Sequence, residues 1–301
     1  MNPRHVLLAV SVAVVWGVNF VVIEVGLENF PPLLFSALRF LFAAVPAIFF
    51  LGRPRVAWRY VIAVGLALGV AKFGLLFVGM DHGVPAGLSS LVLQSQVIFT
   101  LLFAVLVLRE RPRRAQLAGI AIACVGMVLI MLDRGLAAPL GALTLVIAAA
   151  ACWGVSNTVT RHAKPQDTLR FMVWVSAVAV LPLLALSLLT EGVQADAAAL
   201  RSIDLTGIGA LAYLAFAATL FGFGAWGFLL RQYDASTVAP FSLLVPVVGM
   251  AAAWLLRGEA VGLQQAIAAA LIIGGMACTV IRRRPRQQAD SSEWMLTKSA
   301  A

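Results

Sequence analysis

Charge is scarce in this chain. Only 12% of its 301 residues are Asp, Glu, Lys or Arg, against 62% hydrophobic, and the mean hydropathy is +0.98. That leaves too little polar surface to cover a soluble body of this size, so the composition specifies a membrane protein. Acids are scarcer than bases, 13 against 22, and none falls in the middle of an apolar run, so no acidic proton relay is visible at mid-membrane. His5, His82 and His162 are scattered, as are Cys124, Cys152 and Cys278. Without metal-ligand spacing the cysteines read as reduced, helix-packing residues, and no metal or cofactor is expected. Sustained polar–apolar alternation is also missing, which excludes a transmembrane barrel.

What the chain has is apolar length. Runs of about 20 residues recur, each long enough to cross ~30 Å of hydrocarbon at 1.5 Å rise per residue. Ten are readable: Arg4 to Leu27, Leu33 to Leu51, Arg59 to Met80, Ala86 to Leu108, Arg114 to Leu132, Pro139 to Arg161, Leu169 to Thr190, Thr206 to Leu230, Ser236 to Leu256 and Leu263 to Ile281. The first follows a basic start like a signal peptide, but it is too long and lacks a small-x-small cleavage site, so it stays as helix 1.

The net charge of +9 would suit nucleic acid, but its placement serves a bilayer. With the N-terminus inside, the inner segments carry sixteen Lys and Arg, including Arg53, Arg55, Arg59, Arg109, Arg111, Arg113 and Arg114, against Arg134, Arg201 and Arg257 outside. This positive-inside asymmetry places both termini in the cytoplasm of a multi-pass inner-membrane protein, and no nucleic-acid partner is expected. Residues 287–301 read as a disordered cytoplasmic tail. Nothing in the sequence specifies an oligomeric state.

The chain also repeats itself. Trp16-Gly17-Val18 returns 137 positions later as Trp153-Gly154-Val155, and residues 104–127 align with 253–276 through pairs such as Glu110 with Glu259, Gln116 with Gln265 and Gly126 with Gly275. Each half, 1–135 and 136–286, then holds five helices. An odd number reverses direction, so the expected fold class is an all-α membrane protein of ten transmembrane helices in a 5+5 inverted repeat. That architecture places a substrate site near the midplane.

WGVNF at 16–20, Pro31-Pro32, Arg39-Phe40, PAGLSSLVLQSQ at 85–96, Arg109-Glu110, QLAG at 116–119, YLAFAATLFGFGAWG at 213–227 and VAPFSLLVPVVG at 238–249 together resemble the EamA family of the drug/metabolite transporter superfamily, most of all its exporters of cysteine and O-acetylserine. The resemblance implies a secondary carrier exporting small amino-acid metabolites by alternating access. Broader drug or metabolite export is the alternative. An intramembrane enzyme would need a clustered acid-base or metal set, and none is visible.

Polar side chains inside hydrocarbon face a partner or a watery cavity. Asn19, Lys72 and Gln94 share a level about eight residues, roughly 12 Å, from the outer ends of their helices. Asn19 either borders a cavity, where its amide suits a zwitterion, or bonds a neighbouring helix; for Asn157, nearer the inner interface, interhelical glue is preferred. Lys72, the one lysine in any span, either pairs with a cargo carboxylate or snorkels to the outer headgroups. Gln94 is favoured over Gln96 as cavity-facing, because residues two apart diverge by about 200° on a helix. Trp16, Trp153 and Trp226 are candidate cavity walls and cation-π surfaces, or simply packing beside glycines. An Arg39–Glu24 ion pair is preferred over cargo contact by Arg39. Glu110 and Glu259 precede helices 5 and 10, where a carboxylate suits the positive dipole end, and read as structural or gating residues. Pro246 marks a kink in helix 9. GFGAWG at 222–227 matches a dinucleotide-binding pattern but lies inside an apolar span, so close packing explains its glycines better.

Overall fold

Helix ends in this chain are chemically marked. Pro3 and Pro32 occupy first helical turns, where the missing N–H costs nothing. Asn2, Asp167 and Asp204 accept backbone N–H bonds from Arg4, Arg170 and Gly207 as N-caps. Gly258 (φ 69°) ends its helix in the left-handed conformation, and Gly52 (φ 63°) ends its own with an extended positive-φ backbone; glycine tolerates both best. The computed structural model describes residues 1–109, 112–132, 138–233 and 235–280.

Between these marks run α1 (Pro3–Leu27), α2 (Pro32–Leu51), α3 (Trp58–Asp81), α4 (Ala86–Val107), α5 (Arg114–Met131), α6 (Leu140–Ala163), α7 (Thr168–Arg201), α8 (Leu205–Gln232) and α9 (Ala239–Arg257). Among the described residues these are the nine helices long and apolar enough to cross a membrane, and there are no strands. A further apolar helix, α10 (Leu263–Val280), follows. Large side chains such as Phe49, Phe50, Leu181 and Leu205 stand exposed on the helix exteriors, as a lipid-facing surface requires.

The expected spans differ from the helices where the backbone is irregular. The seventh was expected to end at Thr190; instead a π-helical stretch, Leu188–Gly192, carries α7 on to Arg201. Sequence hydropathy stops at the polar TEG and cannot register a helix that continues outside hydrocarbon. α3 is π-helical over Gly65–Lys72 and α8 over Tyr213–Phe221. α4 tightens to a 3-10 turn at Leu93–Ser95, and α9 does so at Ala239–Leu243. That 3-10 turn lies just upstream of Pro246, the residue expected to kink the helix. Pro246 has no N–H to give to the Ser242 carbonyl and its ring crowds that group, so the preceding turn rewinds.

Extensive helix pairs are α5 with α10, α3 with α6, α4 with α6, α1 with α9 and α2 with α7. Small residues set the distances. A Cβ on Gly126 of α5 would fall 2.8 Å from the Ala268 carbonyl oxygen and from Ile272 of α10, while one on Gly275 of α10 would run into Gly119 and Ala123 of α5. This reciprocal close contact leaves no room for a larger residue on either helix.

Candidate functional site

α2, α3 and α8 bring two basic side chains together inside the bundle. The Arg39 guanidinium, from two turns inside α2, donates through Nη2 to Thr219 Oγ1 at 3.0 Å. Its Cζ lies 4.2 Å from the Phe73 ring centroid and 5.2 Å from that of Phe40. Nε and Nη1 have no hydrogen-bond partner among the described residues. Lys72, at the end of the π-helical stretch of α3, sets Nζ 3.3 Å from the same Phe73 centroid and 4.9 Å from Trp153 on α6. The two basic groups are therefore no farther apart than their two distances to Phe73 laid end to end, close enough for like charges to repel. Arg39 and Lys72 are 2% and 5% exposed. Lys72 thus points into the bundle rather than toward headgroups. Among the described residues no carboxylate faces either cation.

This corrects the expected Arg39–Glu24 pair. Glu24 lies within a turn of the C-terminal end of α1 and meets Arg257 instead, at 3.5 Å; Arg257 also bonds Glu28 at 2.6 Å. Arg39 is deeper and turned inward, so depth separates it from Glu24. Glu259 also acts elsewhere than expected. Rather than sitting on the helix that follows it, its carboxylate accepts from Ala86 N at 2.8 Å and Gly87 N at 3.1 Å, capping α4. Burial pushes this carboxyl above its usual value, against the lowering effect of the two amides. Glu191 of α7 caps α2 in the same way, through Leu33 N at 2.6 Å and Leu34 N at 3.1 Å. At both places the helix begins at proline and has no cap of its own, so a distant carboxylate satisfies the orphan donors. Glu110 lies outside the described residues, as does the tail expected at 287–301.

The other candidates separate into groups. Asn157 Nδ2 donates to Gln96 Oε1 at 2.8 Å and to Thr100 Oγ1 at 3.1 Å, tying α6 to α4. Trp16 Nε1 donates to the Ala218 carbonyl at 2.9 Å, and its ring packs against Phe223 and Trp226, each 5.4 Å away. Trp16 and Trp226 thus join α1 to α8, whereas Trp153 stands beside Lys72. Gln94 and Ser95 line a cavity of about 10 Å³ against α5 and α10, room for about one water. Asn19 is buried, and its Oδ1 has no partner among the described residues. Pro246 is buried in the first turn of the regular part of α9. A second, open groove of about 350 Å³ runs between α1, α8 and the end of α9, lined by Val18, Val22, Val25, Tyr213 and Arg257.

Sequence reading missed Thr219 and Phe73. Thr219 carried a readable signal, a hydroxyl inside the apolar YLAFAATLF; Phe73 carried none, since a phenylalanine in an apolar run is ordinary.

The chain matches the EamA-like transporter family over residues 4–132 and 140–281. It is 43% identical over 296 residues to a probable amino-acid metabolite efflux pump of Salmonella typhimurium, spanning 96% of this chain and 99% of the relative. It is 40% identical over 293 residues to one of Escherichia coli, spanning 95% and 98%. A solved crystal structure matches 92% of this chain and 96% of its own with a TM-score of 0.59 at 22% identity, a likeness of fold alone.

Proposed function

The chain belongs to the EamA-like transporter family, and from that premise we propose that it exports small amino-acid metabolites across the inner membrane by alternating access, with both termini in the cytoplasm. The observation that carries the reading is the Arg39–Lys72 pair: two basic groups withdrawn from water, with donors to spare and, among the described residues, no acid beside them. Buried charge without a partner is expensive. A cargo carboxylate that enters, binds and leaves is the partner such a site lacks. Both aromatic faces beside Lys72 hold its ammonium in place for that contact.

Ten helices in two inverted five-helix units, 1–135 and 136–286, provide the moving parts. Three features support the arrangement. The family matches the chain in two segments. The π-helical stretches of α3 and α8 stand 148 to 149 residues apart, close to the offset that aligns Glu110 with Glu259. The packing is reciprocal as well: α1 with α9 answers α6 with α4, while α2 with α7 and α5 with α10 each pair equivalent helices. Two units exchanging such equivalent contacts can rock about a fixed centre. Glu24, Glu28 and Arg257, with Glu259 capping α4, then form a clasp on the outer side, and Asn157, Gln96 and Thr100 a tie on the inner side.

The test is release of labelled cargo from proteoliposomes holding the full chain, with cysteine, O-acetylserine, N-acetylated and dicarboxylic amino acids as the panel, with and without a pH gradient. Release of at least one, lost in Lys72→Gln, is expected. Release of none would overturn the reading.

A further inference from the structure

We infer that the cargo held between Arg39 and Lys72 carries a net negative charge, as an amino acid does when its amine is blocked or a second acid is present, rather than being a free zwitterion. The inference rests on the exporter reading above and narrows its substrate class. It starts from the charge balance of the enclosed site. A zwitterion brings a carboxylate for the two cations, but also an ammonium that must lie within a few bonds of that carboxylate. At that position it would be a third cation beside two basic groups that already share one ring.

The rings and the hydroxyl that touch the two cations, which could otherwise receive an ammonium, are occupied. The Phe73 ring lies under both Arg39 and Lys72, and the Trp153 ring under Lys72. Thr219 Oγ1 already accepts from Arg39 and donates to the Leu214 carbonyl. Among the described residues no carboxylate stands against either cation. An anion reverses every one of these terms. One carboxylate can take the free Nε and Nη1 donors of Arg39 on one side and the Lys72 ammonium on the other, and Arg offers the planar fork that suits it. Specificity then comes from repulsion of the wrong charge as much as from attraction of the right one.

The energetics of export follow. A monoanion leaving a cell whose interior is negative moves down the membrane potential. Such a carrier needs no coupling ion, in keeping with spans that hold no acid at mid-depth.

O-acetylserine and N-acetylserine make a matched probe, because they share every atom and differ in charge: the first is a zwitterion and the second a monoanion near neutrality. Each is loaded into proteoliposomes bearing the full-length chain, at a mildly acidic pH that prevents acyl migration, and release is followed at zero potential and under an inside-negative potassium diffusion potential. N-acetylserine is expected to leave at least about tenfold faster, faster still under the potential, with its release lost in Arg39→Gln and in Lys72→Gln. Should a variant fail to elute as a single species before reconstitution, the wild-type ratio decides alone. O-acetylserine leaving as fast as its isomer, or faster, overturns the inference and leaves the exporter reading standing. Release of neither probe, nor of any other amino acid in the panel, removes the exporter reading and this inference with it.

Discussion

Replacing Arg39 by methionine is expected to leave the fold as stable as before, or more stable, while abolishing transport. Arg39 is fully enclosed, and its guanidinium has one hydrogen bond, to Thr219, and a cation-π contact with Phe73. The bond contributes on the order of 1.5 to 3 kcal/mol and the ring contact about 2 kcal/mol. Against them stands a desolvation penalty of several kcal/mol for the ion. Repulsion from Lys72 adds about 2 kcal/mol if the charges lie ~7 Å apart at an effective dielectric constant of about 20. Methionine fills a similar volume and removes all four terms. Thr219 is not orphaned, because its hydroxyl still donates to the Leu214 carbonyl at 2.7 Å. The net expectation is a change between zero and about +2 kcal/mol, or roughly 0 to 3 °C in unfolding temperature for a chain of this size. Thermal unfolding of the purified protein in detergent, paired with efflux from proteoliposomes, reads both halves. A fall of more than about 2 kcal/mol with transport retained would make Arg39 a structural residue and refute the charge-balance reasoning.

Three further outcomes are expected. Gly154→Ala would place a Cβ 2.7 Å from that of Phe99 and 2.9 Å from the Thr100 amide nitrogen, forcing α6 away from α4 at a cost on the order of 1 to 3 kcal/mol. Gly224→Ala meets only the Leu169 methyls at 3.6 Å and is expected to be neutral or slightly stabilising; equal effects of the two on unfolding temperature would contradict the packing. A double-mutant cycle of Asn157→Leu and Gln96→Leu is expected to give a coupling of roughly 0.6 to 1.7 kcal/mol, and additivity would show that their 2.8 Å bond contributes nothing. For Glu259, burial holds the folded carboxyl above its ordinary value of 4.5, so the folded state binds a proton that the unfolded chain has lost. Its contribution is fully present below pH 4.5 and is lost as pH rises through the raised value. The stability of wild type minus that of Glu259→Gln therefore falls across that window on going to neutral pH, and a rise in that signed difference would refute it.

Several elements were legible before any coordinates. Apolar runs of helical length announced α1 to α9, because hydropathy sums along the chain and needs no knowledge of neighbours. Trp16, Trp153, Asn157 and Lys72 stood out as unusual for their surroundings. Their partners did not. Depth along a helix can be counted from its end, and that count placed Lys72 and Gln94 at one level; it says nothing of the direction each side chain takes. Lys72 turns toward Phe73 and Trp153, Gln94 toward α5 and α10. The π-helical stretch ending at Lys72 shifts the facing of α3 in a way that no 3.6-residue periodicity anticipates. Glu259 illustrates the same limit at a helix end: its chemistry as an N-terminal cap was readable, but the helix it caps lies 173 residues away.

The sequence by itself determined that this is a helical membrane protein of a recognisable transporter family, since solvent preference, helix length and motif identity are local properties of the chain. Only the tertiary structure decided that Arg39 and Lys72 share one phenylalanine ring while the acids Glu24 and Glu28 are held by Arg257 at the surface. That partition depends on the rotation and displacement of helices remote in sequence, which are fixed by small-residue contacts such as Gly126 against α10 and not by the polar residues themselves.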